Sequence, residues 1–415
     1  MTVQQQLKQA KSVCSALTAI SDATRLQVLN AVADAIYTRK ESILEANSRD
    51  LDRMNPENPR YDRLLLNTER LEGIATDVRH VANSPSPLDI ELEARTLDNG
   101  LQLERISVPI GVVGIVYEAR PNVTFDVFAL CFRSGNCCVL KGGSDAAESN
   151  CAIVELIQEI LRAHNCPPDA IQLLSPTRRA VEELLSAVDT VDVVIPRGSK
   201  ALIDYVRETA KVPVIETGAG VVHTYIDKDV DLDAAQNVIL NAKTRRVSVC
   251  NALDTLLIHT DQLDALPQLL TPLAHHKVEL FADTLSHEVL RNRYPEALLK
   301  RATDDHYGIE FLDYKLAIRC VNTLDDALNH IAQHSSRHSE AILSTNPMAI
   351  EKFLQSVDAA VIYSNASTAF TDGAQFGLGA EIGISTQKLP PRGPMALRDI
   401  TTYKWIVRGA GHVRS

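Results

Sequence analysis

The sequence is most informative first for what it lacks. Among its 415 residues there is no basic excess, and the formal net charge is -11. Nucleic acid and anionic membrane surfaces both call for such an excess, so neither is expected as the main partner. An acidic chain that binds anions must instead focus a few Arg and Lys at one site. The opening MTVQQQLKQAKSVCSALTAISDATR has no apolar core of signal-peptide length. The longest strongly apolar stretch, VPIGVVGIVY, is broken by Pro109, Gly111 and Gly114 and falls short of the about 20 residues a bilayer span needs. These absences predict a cytoplasmic protein.

Two further absences concern motifs. The eight cysteines (Cys14, Cys131, Cys137, Cys138, Cys151, Cys166, Cys250, Cys320) include no C-x-x-C pair, which points to reduced and mostly buried thiols rather than a disulfide or zinc framework. There is no G-x-x-x-x-G-K-[ST], which excludes a P-loop nucleotide site. No repeat or low-complexity linker divides the chain, although its length implies two or three domains.

Within those limits the pattern is α/β. Residues 1–85 read as helices with apolar positions at three- and four-residue spacing. ELEARTLDNGLQLERISVP alternates around Asp98-Asn99-Gly100, a hairpin signal in which Asn-Gly supplies the positive φ angles of a tight turn. IGVVGIVYEA, NCCVLKGG, IQLLS, VDVVIPRG and VPVIETGAG read as buried strands separated by helices or turns, the signature of a parallel sheet. A second α/β run extends from about DLDAAQNVILNAK to residue 365. The end is glycine-rich and then strand-like, and holds the sole tryptophan, Trp405.

Several candidate sites weigh evenly or weakly on residues alone. GAGVVH approaches the dinucleotide fingerprint, but His223 stands where its last glycine belongs. Arg197-Gly198-Ser199, opening the helix SKALIDYVRETA, suits a phosphate cradle as well as it suits an ordinary strand-to-helix turn. His330, His334 and His338 have i, i+4, i+8 spacing, but the serines around them favour a polar helix end over a metal site. Asp304-Asp305 and Asp325-Asp326 read as solvated helix starts. Cys250 follows Lys243, Arg245 and Arg246 and opens the apolar run ALDTLLIH, a place where a thiol can become a thiolate. Taken alone it still reads first as an inert core thiol.

Longer segments change that weighting. NAKTRRVSVCNALDTLLIH resembles the nucleophile segment of the gamma-glutamyl phosphate reductase (glutamate-5-semialdehyde dehydrogenase) family, a branch of the aldehyde dehydrogenase superfamily. VPIGVVGIVYEARPNVTFD, VIPRGS, NASTAFTDGAQFGLGAEIG and STQKLPPRGPMALRDITTYKW resemble the same family, in order, over essentially the whole chain. The resemblance implies an aldehyde dehydrogenase-like fold with two parallel-sheet α/β domains and a small β oligomerisation arm. It implies an NADP-binding domain at 1–91 and 110–225, a catalytic domain at 226–375, and an arm at 92–109 and 385–415.

The implied reaction is NADPH-dependent reduction of L-glutamate 5-phosphate in proline biosynthesis, through a thioester on Cys250. Asn122 and the Cys250 backbone N–H are then the oxyanion donors. Lys141, Gly198, Ser199 and Glu310 are the cofactor contacts, with Glu216 near the nicotinamide. Arg120, Arg246 and Arg392 are candidate clamps for the phosphate or carboxylate of the substrate. Ser144 stands where the superfamily often has a ribose-gripping glutamate, and that loss favours NADPH over NADH. A homo-oligomer and a transient contact with glutamate 5-kinase are also implied. The alternative is a hydrolytic aldehyde dehydrogenase with Glu216 as its base.

Overall fold

The computed structural model describes residues 1–58 and 61–414. The chain divides into two compact units. One comprises Met1–Thr217, Gly377–Gly383 and Pro394–Ser415, and the other Gly218–Phe376 and Ile384–Gly393.

The first unit opens with helices at Val3–Thr18, Asp22–Thr38, Lys40–Leu51, Tyr61–Leu64 and Thr68–Asn83. Their starts are capped as sequence chemistry requires, for example by Thr2, Ser21 and Asn67, whose side chains accept from the third backbone N–H on. A hairpin follows, β1 (Glu91–Thr96) and β2 (Gln102–Pro109). It differs from the expected two-residue turn. Gly100 N–H donates to Leu97 O and Leu97 N–H to Leu101 O, which closes a three-residue loop. Gly100, at φ 90°, is the residue of that loop with positive φ, and Asn99 does not need it.

Next come β3 (Val112–Tyr117), β4 (Cys137–Lys141), β5 (Ile171–Leu173) and β6 (Val193–Arg197). They pair in parallel in the order β5-β4-β3-β6. All six residues of β3 are buried, as a central parallel strand demands. Cys131, Cys137 and Cys138 are buried in the same core, and no cysteine is in a disulfide. The C-terminal strand Thr401–Arg408 pairs antiparallel with β2, making β1, β2 and itself one three-stranded sheet.

The expected strand VPVIETGAG does not form. Val214 makes only an isolated bridge to Val194. Pro213 has no N–H to give a ladder, and the glycines beyond it carry the chain out of extended pairing. The strand comes later, as β7 (Val222–Ile226) in the second unit. This is why the units divide at Thr217/Gly218 and not after 225.

The second unit holds β7, β8 (Leu253–His259), β9 (Glu279–Ala282), β10 (Leu299–Arg301), β11 (Lys315–Val321), β12 (Ser339–Leu343) and β13 (Val361–Ser364). All pairs are parallel, in the order β10-β9-β11-β8-β7-β12-β13. Every residue of the central β8 is buried. Residues 385–393, expected in the arm, belong with residue 384 to this unit. Their anchor is Asp358, whose carboxylate accepts from both Lys388 and Arg392 at 2.8 Å.

The three spaced histidines do not share one helix. The helix Leu324–His334 ends before Ser335, and His338 lies beyond it. His330 is only 4% exposed, edge-on to His223 and Tyr307 and tilted against His334 with ring centres 4.4 Å apart. Among the described residues no group of His, Cys, Asp or Glu could hold a metal ion. Burial, with smaller pushes from His223, His334 and Arg319, drives His330 down to about 2. The unfolded chain therefore takes up this proton first, below its ordinary value near 6.5. Stability should fall by up to ~2 kcal/mol between pH 7 and pH 5 from this group. Thermal melts across that range should show the loss in the native chain and a flatter acid limb in His330→Phe. Parallel curves for the two would refute the assignment.

Candidate active site

Cys250 sits on a turn between two fixed elements. The helix Leu232–Thr244 is capped by Asp231 and ends six residues before it, and β8 begins three residues after it. Lys243, near the helix end, is fully buried, and its Nζ donates to Leu253 O at 2.9 Å and lies 4.0 Å from Asp254. Asp254 in turn accepts from Phe311 N–H at 3.1 Å and Val222 N–H at 3.4 Å. Burial pulls Lys243 down and pushes Asp254 up, and each opposes the other's shift. So Lys243 is turned into the core toward Asp254, while Arg245 and Arg246 are exposed. Within the turn, Asn251 donates to Thr371 O at 2.9 Å and its carbonyl accepts from Thr368 at 2.9 Å. Cys250 itself is half-buried.

A glycine loop closes over this turn. A Cβ on Gly220 would lie 1.5 Å from the Cys250 carbonyl oxygen, and one on Gly218 would lie 2.1 Å from Thr386 Oγ1. Gly220 N–H donates to Glu310 Oε1 at 2.9 Å. Cys250, Gly220 and Glu310 are thus one local cluster. The partial fingerprint GAGVVH is where two backbones touch, and its glycines are needed for that approach.

Arg392 is not a free clamp. Its Nη1 donates to Asp358 Oδ1, and Lys388 and Arg392 together hold that carboxyl down to about 2. Its Nε and Nη2 are buried with no hydrogen-bond partner, which leaves half of the fork open.

The first unit carries the remaining candidates. Asn122 opens the helix Asn122–Arg133, with Arg120 half-buried just before it. Its Nδ2 donates to Asp126 Oδ2, one turn on, at 3.1 Å. Burial, with Asp77 and Glu381 nearby, pushes Asp126 up to about 7 against the pull of Asn122 and Arg197. Lys141 ends β4, where burial lowers its pKa and Glu118 raises it. Ser199 caps the helix Lys200–Thr209 through Leu202 N–H. Its own N–H and hydroxyl both donate to the Glu118 carboxylate at 3.0 Å. Glu216 lies 3.4 Å from Arg207 Nη1.

Sequence reading missed Glu118, Asp126 and Gly220. The Asn122/Asp126 spacing of four on a helix was a usable signal. Glu118 gave none, because its partner lies 81 positions away.

Comparison with known proteins decides the family. The aldehyde dehydrogenase family model matches residues 1–279. A gamma-glutamyl phosphate reductase from Chlorobium limicola is 58% identical over 414 residues, covering 100% of this chain and 99% of that one. The chain belongs to the gamma-glutamyl phosphate reductases. The Parabacteroides distasonis reductase is 53% identical with 100% of both chains covered. The crystal structure of the Thermotoga maritima reductase matches with a TM-score of 0.95 at 37% identity, covering both chains fully. The aldehyde dehydrogenase-like α/β fold is therefore shared along the whole length.

The residues of this gamma-glutamyl phosphate reductase family member also suit a dinucleotide. The Ser199 donors at a helix start already hold an anionic group, and a Cβ on Gly198 would lie 2.9 Å from that carboxylate. The Gly220 contact gives a direct test. Gly220→Ala should cost about 1–3 kcal/mol of stability, since a backbone atom cannot rotate away, and should lower turnover roughly 100-fold. Gly73→Ala, where nothing lies within 4 Å, should leave turnover unchanged. Equal turnover in the two variants would show that the close approach is immaterial.

Proposed function

We propose that this chain reduces L-glutamate 5-phosphate to L-glutamate 5-semialdehyde with NADPH, releasing phosphate, as a step of proline biosynthesis. The observation that carries this reading is Cys250, a half-buried thiol on a turn pinned from both flanks, in a chain alike to such reductases throughout.

As a thiolate, Cys250 attacks the acyl carbon. The carbon–oxygen bond to phosphate breaks, inorganic phosphate leaves, and a thioester on Cys250 remains. The Asn122 amide and the Cys250 N–H are the donors for the oxyanion that forms on the way. Asp126 holds that amide in one orientation. The nicotinamide cofactor supplies the hydride that takes the thioester to the aldehyde, after which Cys250 is free again. The product's own amine lies within ring-forming reach of its aldehyde, so it cyclises unaided.

Lys141, Gly198, Ser199 and Glu310 are the proposed cofactor contacts. Ser144 supports NADPH over NADH, because its own side chain brings no carboxylate against a 2′-phosphate. Arg120, Arg246 and Arg392 are the proposed anion clamps, and the open half of the Arg392 fork fits that role. Glu216 is engaged by Arg207, an ion pair that a water-activating base does not need. That favours phosphate release over the hydrolytic alternative.

The three-stranded arm supports a homo-oligomer. Tyr403 and Trp405 are exposed on its C-terminal strand, with Arg105 stacked at 4.9 and 5.5 Å from their ring centres. No helix among the described residues is long and apolar enough to cross a membrane, which fits a cytoplasmic setting. A transient contact with the kinase that makes the unstable substrate belongs to the same reading.

Cys250→Ser should abolish reduction while NADPH still binds, as read by fluorescence titration. Turnover surviving in that variant would sink the thioester route. In the reverse direction, NADP⁺ reduction with glutamate semialdehyde should need inorganic phosphate. A phosphate-independent rate would assign the chain to the hydrolytic class.

A further inference from the structure

Glu118 stands one residue past β3, and its carboxylate occupies the turn after β6. One oxygen accepts from the Ser199 backbone N–H and the other from the Ser199 hydroxyl, each at 3.0 Å. The absence of a side chain at Gly198 makes the room, because a Cβ there would lie 2.9 Å from the carboxyl carbon of Glu118. A Cβ on Gly143, in the turn after β4, would lie 3.7 Å from the Glu118 Cα. The residue is thus bracketed by both glycine turns of the sheet. Lys141 already senses its charge, which raises the lysine's pKa against the lowering effect of burial.

A carboxylate and a phosphate oxygen use the same donors at a helix start. They cannot hold Ser199 together, and a diphosphate brought beside an ionised Glu118 meets like charge. We propose that Glu118 is a specificity-determining residue of the dinucleotide site, an internal anion that must leave Ser199 before the dinucleotide's phosphates can bind there. Lys141 is the cation placed to receive the displaced carboxylate. The affinity of the site is then reduced by the fraction of molecules in which Glu118 occupies the turn. This rests on the reading of Gly198-Ser199 as the pyrophosphate turn.

The test is NADPH binding to the full chain, followed by fluorescence titration and independent of turnover. Glu118→Gln removes the charge at nearly constant volume, and Glu118→Ala removes the group. Both should lower the Kd for NADPH roughly three- to tenfold. An unchanged or larger Kd in these variants overturns the proposal. Ser199→Pro made in the Glu118→Ala background, which removes both the N–H and the hydroxyl with no carboxylate left to compete, separates the two layers of the argument when compared with Glu118→Ala. If it leaves the Kd unchanged, the turn does not hold the diphosphate, and both the turn reading and the proposal fall. If it raises the Kd while neither Glu118 variant lowers it, only the role of Glu118 falls.

Discussion

The geometry around Cys250 depends on one buried ion pair. Lys243 and Asp254 are both shielded from water, an arrangement that is costly unless every remaining donor and acceptor is met. Here backbone groups supply partners to both. Lys243 reaches the carbonyl of Leu253, while Asp254 takes the N–H groups of Val222 and Phe311. Four segments are tied together in this way: a helix end, the first residues of β7 and β8, and the stretch that carries Glu310. The Cys250 turn and the glycine loop against it take their positions from that tie. A neutral pair of similar volume could fill the space, but it would not specify the same backbone partners.

The first unit solves a different problem with the same chemistry. Its helix Lys200–Thr209 presents unpaired N–H groups, as every helix start does. Ser199 Oγ takes the N–H of Leu202, and Glu118, from its place after β3, takes the N–H of Ser199 itself. Asn122, four residues further on, is fixed by Asp126. One short stretch therefore carries both the anion held at the Ser199 turn and an oriented amide. The glycines at 143 and 198 allow its backbone and side chain to fit between the two turns.

Much of this was legible in the residues, and the exceptions have physical causes. Central strands such as VVGIVY and LDTLLIH announce themselves because burial on both faces leaves only apolar choices. Cys250, Asn122 and Lys141 are singled out as candidates only by long resembling segments, since local pattern ranks Cys250 as a core thiol. VPVIETGAG misled because β-branched residues report propensity, while a ladder must be continued along the strand, and the pairing with Val194 stops after one bridge between Pro213, which has no N–H, and the glycines. Lys243 looked like one more charge beside the thiol. Its partner Asp254 lies 11 positions on, across a turn whose course no spacing rule gives. For Arg392, equally a candidate clamp or a salt-bridge arginine on residues alone, the partner Asp358 is hidden for the same reason, 34 positions away.

The pairing of β2 with Thr401–Arg408 has a consequence for how the protein is made. Glu104 and Arg408, joined across that pairing, are 304 positions apart. A chain emerging from the ribosome completes β1 and β2 early, then carries β2 with an open edge while nearly three hundred further residues are synthesised. Until the last strand arrives, that edge is available to any other nascent chain of the same kind. The two charges of β2, Glu104 and Arg105, make it a poor template for indiscriminate pairing during that wait.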